Sequence, residues 1–181
     1  INPTRDGIYK SLKEMGAKID FINKRSEAGE DVYDVLVETS HLKSIEVPAS
    51  RAPSMIDDYP VLAVAASVAD GTSIFRGLSE LKVKESNRLL GIKNFLEVNG
   101  VEVSINSNDL IIKGNPDAIA GGGMVNTNLD HRIAMSSLVL GLISKRPISI
   151  DDAETINTSF PGFITIMKNI GAKINKMEPR D

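Results

Sequence analysis

The sequence contains no cysteine and only two histidines, His41 and His131, among its 181 residues. The absence of cysteine excludes disulfides, thiol catalysis and Cys-ligated metals, and the shortage of histidine disfavours a His-rich metal site. No run of 18 or more apolar residues is present, so the sequence predicts no membrane-spanning helix. Aromatic residues make up only 4% of the chain and the net charge is −3, which disfavours nucleic-acid binding by base stacking or bulk positive charge.

The remaining composition is typical of a soluble globular protein with a substantial core, because 41% of the residues are apolar and 25% are charged. The chain begins at Ile1 without the basic and apolar regions of a signal peptide. The absence of cysteine fits a reducing cytoplasm, so we expect a cytoplasmic protein. We interpret the chain as a part of a longer one.

Three segments of the sequence pass from a helical pattern into a strand pattern in the same way. In each, a glycine follows the predicted helix end, where a left-handed residue can close the last turn without a Cβ penalty. Alternating apolar and polar residues then predict a half-buried strand. The three segments are residues 12–20, 96–104 and 167–175.

Two further predicted helices, over residues 57–69 and 130–144, are apolar on nearly all sides and are therefore expected to be buried. Each leads into a short predicted strand. Helices and strands then alternate in the order of a βαβαββ unit used roughly twice, which indicates a layered α/β (α+β) fold. The glycine-containing stretch Asn115–Gly123 is interpreted as a flexible connector, since no helix directly follows its glycines.

Charged residues stand at the starts of three predicted helices, which favour anions. Lys84, Glu85 and Arg88 are spaced to share one side of a first helical turn. They could form an ordinary solvated ion pair, but two cations at a helix N-terminus oppose the helix dipole unless an anion lies between them. The segment therefore suggests an anionic ligand.

The other two helix starts carry Arg132 and the pair Asp57 and Asp58. Arg132 enters an apolar helix, so it needs either an intrachain partner such as Asp130 or an anionic ligand held by its planar guanidinium. One of the two aspartates could cap its helix, and the other could accept a proton from a substrate hydroxyl.

Five segments, in the order in which they occur in the chain, resemble the 5-enolpyruvylshikimate-3-phosphate (EPSP) synthase family. The sequence near residues 51–60 resembles the second of that family's two sequence classes. The resemblance covers the whole chain and is carried by residues 2–5 (NPTR), 51–57 (RAPSMID), 81–89 (LKVKESNRL), 129–135 (LDHRIAM) and 158–161 (TSFP). It implies one domain of a two-domain fold, each domain built from βαβαββ units, with the active site between them. Residues 1–181 are accordingly interpreted as the C-terminal domain, with the N-terminal domain as a partner that lies outside this sequence.

The resemblance also implies a role for each matching residue. Asp57 corresponds to the acid that accepts the proton of the substrate 5-hydroxyl and binds shikimate 3-phosphate, and Lys84 corresponds to a second ligand of that substrate. Glu85 corresponds to the carboxylic acid that protonates the methylene carbon of phosphoenolpyruvate. Arg88 and Arg132 correspond to the two arginines that hold phosphoenolpyruvate.

The implied reaction transfers the enolpyruvyl group of phosphoenolpyruvate to the 5-hydroxyl of shikimate 3-phosphate and releases phosphate, in the shikimate pathway to chorismate and aromatic amino acids. It requires no metal and no organic cofactor, and the implied enzyme is a monomer. Some relatives carry lysine where this chain has Thr158, so the role of that lysine is not transferred. The alternatives are an enolpyruvyl transferase acting on UDP-N-acetylglucosamine and a non-catalytic βαβαββ module. The chain alone is expected to be inactive.

Overall fold

The computed structural model describes residues 1–176. Its helices are α1 (Gly7–Glu14), α2 (Tyr59–Ser67), α3 (Arg88–Glu97), α4 (His131–Gly141), α5 (Glu154–Asn157) and α6 (Phe163–Asn169). Its strands are β1 (Lys18–Glu27), β2 (Glu30–Glu38), β3 (Glu46–Val47), β4 (Thr72–Phe75), β5 (Glu102–Asn106), β6 (Asp109–Lys113), β7 (Ile119–Gly121), β8 (Met124–Val125), β9 (Ser144–Arg146) and β10 (Ser149–Ile150). Short 3₁₀ turns span Ala49–Ser54 and Ser79–Val83. None of the helices within residues 1–176 has the length and apolar character needed to cross a bilayer.

One complete βαβαββ unit is present, as the sequence predicted. Its strands form a four-stranded sheet in the order β3-β4-β6-β5, in which β3 and β4 are parallel and the other pairs are antiparallel. The crossover from β3 to β4 passes through α2, and α3 connects β4 to the β5–β6 hairpin. Parts of two similar units flank it, since α1 precedes the β1–β2 hairpin and the parallel strands β8 and β10 are joined through α4.

The glycines of the three repeated segments all adopt positive φ, as predicted, with values of 91° at Gly16, 85° at Gly100 and 104° at Gly171. The first two lead into β1 and β5, whereas residues 172–176 form no strand, so the third predicted strand is wrong. A strand needs a neighbour to satisfy its backbone N–H and C=O groups. β1 and β5 have hairpin partners, and the structure describes no strand beside residues 172–176.

The stretch Asn115–Gly123 is not the flexible connector that the sequence predicted. Residues 119–121 form β7, which pairs in parallel with β9, and β9 itself begins where the sequence predicted the end of a helix. Gly121 has φ of 65°, and a Cβ there would lie 2.3 Å from the carbonyl oxygen of Arg146. The backbone N–H of Gly123 donates to Oδ1 of the buried Asn99. These glycines therefore allow close backbone contacts.

Helices α2, α3 and α4 pack on one another in the core, and α2 is buried along most of its length. Leu142 and Ile143, which the sequence assigned to the buried helix over residues 130–144, follow the end of α4 and are about half exposed. The starts of all three helices lie together, as the ion pairs between them show. This end of the helical layer carries the residues that the sequence singled out.

Candidate active site at three helix starts

Asp57 lies at the centre of the site, in the turn between the first 3₁₀ segment and α2. The helix begins at Tyr59, and Asp58 occupies the N-cap position without a side-chain capping hydrogen bond. The expectation that one of the two aspartates caps this helix through its carboxylate is therefore wrong. The carboxylate of Asp57 instead faces cations from other parts of the chain.

Four cationic side chains surround the Asp57 carboxylate. Arg88 Nη1 donates to Oδ1 at 3.0 Å, and Lys84 Nζ lies 3.6 Å from the same oxygen. Arg5 Nη1 and Arg132 Nη2 lie 3.6 and 3.9 Å from Oδ2. Burial raises the pKa of Asp57, but the positive charges of Arg132, Lys84 and Arg88 outweigh it and leave that pKa below its ordinary value. Asp57 is thus ionised at neutral pH.

Asp58, the next residue, has the opposite shift. Burial raises the pKa of its carboxyl, the charge of Arg132 lowers it, and the neighbouring Asp57 raises it further. The result is a pKa above the ordinary value, because burial outweighs the attraction to the arginines. The two adjacent carboxyl groups therefore differ in how readily they hold a proton.

Arg88 is completely buried, and three carboxylates enclose its guanidinium. Nε donates to Asp130 Oδ2 at 2.9 Å, Nη1 donates to Asp57, and Nη2 donates to Glu85. In this structure the counter-charges of Arg88 therefore come from the chain itself. A buried guanidinium without partners would cost several kcal/mol, and these acids supply the partners. The ion pair between Arg88 and Glu85 that the sequence allowed does form, but its Arg88 side is buried instead of solvent-exposed.

Asp130 links two of the helix starts and was not recognised as a site residue from the sequence. It is fully buried, and its Oδ1 caps α4 by accepting from the backbone N–H of Arg132 at 2.9 Å. Its Oδ2 accepts from Ser86 Oγ as well as from Arg88 Nε, both at 2.9 Å. Burial raises the pKa of Asp130, but the hydrogen bonds and charge of Arg88 outweigh burial and lower it. An aspartate directly before a predicted helix was the available signal.

Lys84 and Glu85 do not share a helical turn with Arg88. Asn87 caps α3 by accepting from the backbone N–H of Leu90, so the helix begins only at Arg88. Lys84 and Glu85 precede it in a non-helical segment and reach the site from outside the helix. The Glu85 side chain is 55% exposed, which makes it the most accessible of the three acids around Arg88.

Arg132 keeps one-third of its side chain exposed at the edge of the site. Its Nη1 donates to the backbone oxygen of Asp57 at 3.0 Å. Of the two alternatives left by the sequence, the side-chain pair with Asp130 does not form within the described residues. Thr158 lies directly after α5. In α5, Thr155 Oγ1 donates a hydrogen bond to the carbonyl oxygen of Leu129, which connects the helix to the segment before α4. The Thr158 hydroxyl donates to the backbone oxygen of Thr155 at 2.7 Å.

The arrangement can bind an anion and accept a proton next to it. Arg132 and Lys84 are partly exposed cations, Asp57 is an ionised carboxylate between them, and Glu85 is an accessible second carboxyl. No group of three or more His, Asp or Glu side chains in residues 1–176 is arranged to hold a metal ion.

Comparisons with known proteins connect this chain to one family. The family described as EPSP synthase (3-phosphoshikimate 1-carboxyvinyltransferase) matches residues 1–167. The chain is 53% identical over 182 residues to the 3-phosphoshikimate 1-carboxyvinyltransferase of Chelativorans sp. strain BNC1 and 53% identical over 172 residues to that of Granulibacter bethesdensis. These alignments cover 100% and 95% of this chain, but only 40% and 38% of the relatives. The chain therefore spans about two-fifths of their length.

Solved structures show the same likeness. An EPSP synthase from Acinetobacter baumannii superposes with a TM-score of 0.90 and 37% identity over 95% of this chain and 40% of that chain. The enolpyruvyl transferase NikO from Streptomyces tendae superposes with a TM-score of 0.71 at 17% identity, over 93% of this chain and 36% of that one. The second likeness is one of fold alone.

Proposed function

The chain belongs to the EPSP synthase (3-phosphoshikimate 1-carboxyvinyltransferase) family, and we propose that it forms the C-terminal domain side of that enzyme's active site. The proposed reaction moves the enolpyruvyl group of phosphoenolpyruvate to the 5-hydroxyl of shikimate 3-phosphate and releases phosphate. The observation that carries the proposal is that Lys84, Arg88 and Arg132 converge on Asp57, while Glu85 pairs with Arg88 beside it. Three separate segments of the sequence supply these residues.

In the first step, Asp57 accepts the proton of the 5-hydroxyl as the hydroxyl oxygen attacks C2 of phosphoenolpyruvate. Glu85, which takes up a proton from water once it has left Arg88, gives that proton to the methylene carbon. The carbon becomes a methyl group, and the product is a tetrahedral adduct that still carries the phosphate. Asp57 can accept a proton because the surrounding cations keep it ionised. In the second step the bond from C2 to the phosphate oxygen breaks, Asp57 gives the proton it accepted to the leaving phosphate, and the methyl group returns its proton to Glu85.

The cations hold the two substrates, which are both strongly anionic. Lys84 binds shikimate 3-phosphate together with Asp57, and Arg132 offers its exposed guanidinium to phosphoenolpyruvate. Arg88 binds the same substrate by exchanging a partner, because it is already enclosed by three acids. Glu85 is the exposed one of these acids, so an incoming substrate carboxylate replaces it and leaves it available for proton transfer.

We propose that the remaining part of the active site comes from an N-terminal domain, since the curated relatives are about two and a half times as long as this chain. The exposed apolar residues Val35, Leu36 and Val37 on β2 support further packing partners. The proposed enzyme is a cytoplasmic monomer, as the resemblance implies. The relatives named above favour the shikimate substrate over UDP-N-acetylglucosamine.

A chimera tests the proposal. Residues 1–181 replace the matching region of the Chelativorans sp. enzyme, and phosphate release from phosphoenolpyruvate is measured with and without shikimate 3-phosphate. We expect release that depends on both substrates, and a loss of kcat of about 10²–10⁴-fold in Asp57→Asn with an unchanged circular dichroism spectrum. Arg132→Ala is expected to raise KM for phosphoenolpyruvate. The 181-residue chain alone should turn over neither substrate.

A folded chimera without activity would overturn the proposed function, provided the unaltered Chelativorans sp. enzyme is active in the same assay. Full activity in Asp57→Asn would overturn the role of Asp57 as the proton acceptor. Lys113→Gln serves as the matched control, because Lys113 pairs with Glu102 on the β5–β6 hairpin and contacts none of the proposed site residues.

A further inference from the structure

The turn before α1 brings to Asp57 a further cation that the proposed reaction does not use. Oδ1 of Asn2 accepts hydrogen bonds from the backbone N–H and the hydroxyl of Thr4, at 2.9 and 2.7 Å. The backbone oxygen of Asn2 accepts from the N–H of Arg5 at 2.9 Å, and Pro3 between them has a restricted φ. Arg5 therefore extends from a closed turn, with Nη1 3.6 Å from Asp57 Oδ2.

The two oxygens of the Asp57 carboxylate have different surroundings. Oδ1 accepts a hydrogen bond from the buried Arg88. Oδ2 accepts none from any residue between 1 and 176, and Arg5 and Arg132 flank it at 3.6 and 3.9 Å. These distances exceed hydrogen-bonding range. Oδ2 is therefore the oxygen free to accept a substrate proton.

Both flanking guanidinium groups keep most of their donors unused. The Arg5 side chain is 64% exposed and makes no side-chain hydrogen bond within the described part of the chain. The Arg132 side chain makes one, to the backbone of Asp57. A guanidinium has five N–H donors in a planar fork that fits a carboxylate or phosphate with two hydrogen bonds.

We propose that Arg5 is a further substrate-binding residue, which acts with Arg132 as a two-arginine clamp on a phosphate or carboxylate group beside Asp57 Oδ2. The proposal rests on the proposed function, because the clamped group belongs to one of its two anionic substrates. An anion between the guanidinium groups would offset their mutual repulsion and hold the substrate that carries it next to the free carboxylate oxygen.

The first test uses the 181-residue protein itself and needs no turnover. Inorganic phosphate and phosphoenolpyruvate are titrated separately at low salt, and the arginine Nε–Hε signals are followed by NMR. We expect a saturable shift of the Arg5 signal and about ten-fold weaker binding of at least one probe in Arg5→Gln, as expected for the loss of one charge-assisted contact. Arg5→Lys should recover part of the affinity. No shift at Arg5, or affinities within two-fold of the native protein, would overturn the clamp.

Arg25→Gln is the matched control, because the Arg25 side chain is 46% exposed and pairs with Glu27 and Asp34 on the β1–β2 hairpin. An equal loss of affinity in this control would mean that general surface charge, not a clamp, attracts the probes. A merely structural contact between Arg5 and Asp57 would change the thermal stability but leave both affinities unchanged.

The second test uses the active chimera and identifies the clamped substrate. Arg5→Gln is expected to raise KM about ten-fold for either phosphoenolpyruvate or shikimate 3-phosphate, with a smaller change in kcat. An unchanged KM for both substrates would overturn a role in substrate binding. An inactive chimera in which Arg5 still binds the probes would refute the proposed function and leave the anion site in place.

Discussion

Asp130→Ala is expected to be among the most destabilising single substitutions at the site. Asp130 is fully buried and accepts hydrogen bonds from Ser86, from Arg88, and from the first backbone N–H groups of α4. Removal of one partner of a buried ion pair costs about 3–5 kcal/mol, because the other charge stays buried. Loss of a helix cap costs about 1 kcal/mol. Asp57 and Glu85 still pair with Arg88, so we expect about 3 kcal/mol in total, near the lower end of that range.

Thermal unfolding at pH 7 measures this effect. For a chain of 150–250 residues, each kcal/mol lowers Tm by about 2–4 °C, so Asp130→Ala should lower it by about 6–12 °C. Asn87→Ala is the matched control, because Asn87 caps α3 through one hydrogen bond to Leu90 and pairs with no charge. It should lower Tm by only about 2–4 °C.

The pH dependence separates the charge of Asp130 from its capping role. The folded-state pKa of Asp130 is depressed, so its charge stabilises the protein above the ordinary aspartate pKa. This contribution is lost as the pH falls through the folded-state pKa of Asp130. The difference in Tm between the native protein and Asp130→Ala should therefore become smaller in that pH range. Equal Tm values for Asp130→Ala and Asn87→Ala at pH 7 would refute the inference that a buried ion pair holds the two helix starts together.

Two further substitutions test features away from the ion pairs. Burial raises the pKa of Tyr59 to about 12, and its hydroxyl is buried without a hydrogen-bond partner in the described residues. The native protein should therefore lose stability as the pH rises from about 10 towards 12, and Tyr59→Phe should lack this loss. At pH 7 the free energy of unfolding of Tyr59→Phe should be about 1 kcal/mol higher than that of the native protein. A lower value for Tyr59→Phe in chemical denaturation would contradict this. Gly121→Ala should lower Tm by at least about 4 °C, because the new Cβ would lie 2.3 Å from a backbone oxygen. An unchanged Tm would show that the close contact between β7 and β9 is not required for stability.

Local features of the fold could be predicted from the sequence because they depend on local chemistry. Gly16 and Gly100 adopt the left-handed conformation that their positions after a helix indicated, and each leads into a strand. β7 could not be predicted, because its three residues form a strand only through pairing with β9, which lies 25 residues further along the chain. The strand predicted after Gly171 was wrong because its alternating pattern has no neighbouring strand in the described residues with which to form hydrogen bonds.

The site shows the same division between local and long-range interactions. The sequence indicated that Arg88 and Arg132 needed counter-charges, but not which ones. The acids that enclose Arg88 include Asp57 and Asp130, which are 31 and 42 positions away. Such partners are set by the packing of α2, α3 and α4, and spacing within one helix does not reveal them.

Burial divides the cations of the site into two kinds, with different consequences for an anionic ligand. Arg88 has no exposed surface and is enclosed by three acids, so an anionic ligand could reach it only by replacing one of them. Arg5, Lys84 and Arg132 are partly exposed, and their contacts with the Asp57 side chain are all 3.6 Å or longer. An anionic ligand would therefore meet these three side chains first, and their attraction for it would not depend on breaking a buried ion pair. It follows that a chain with a net charge of −3 can still attract anions, because the charge that matters is local.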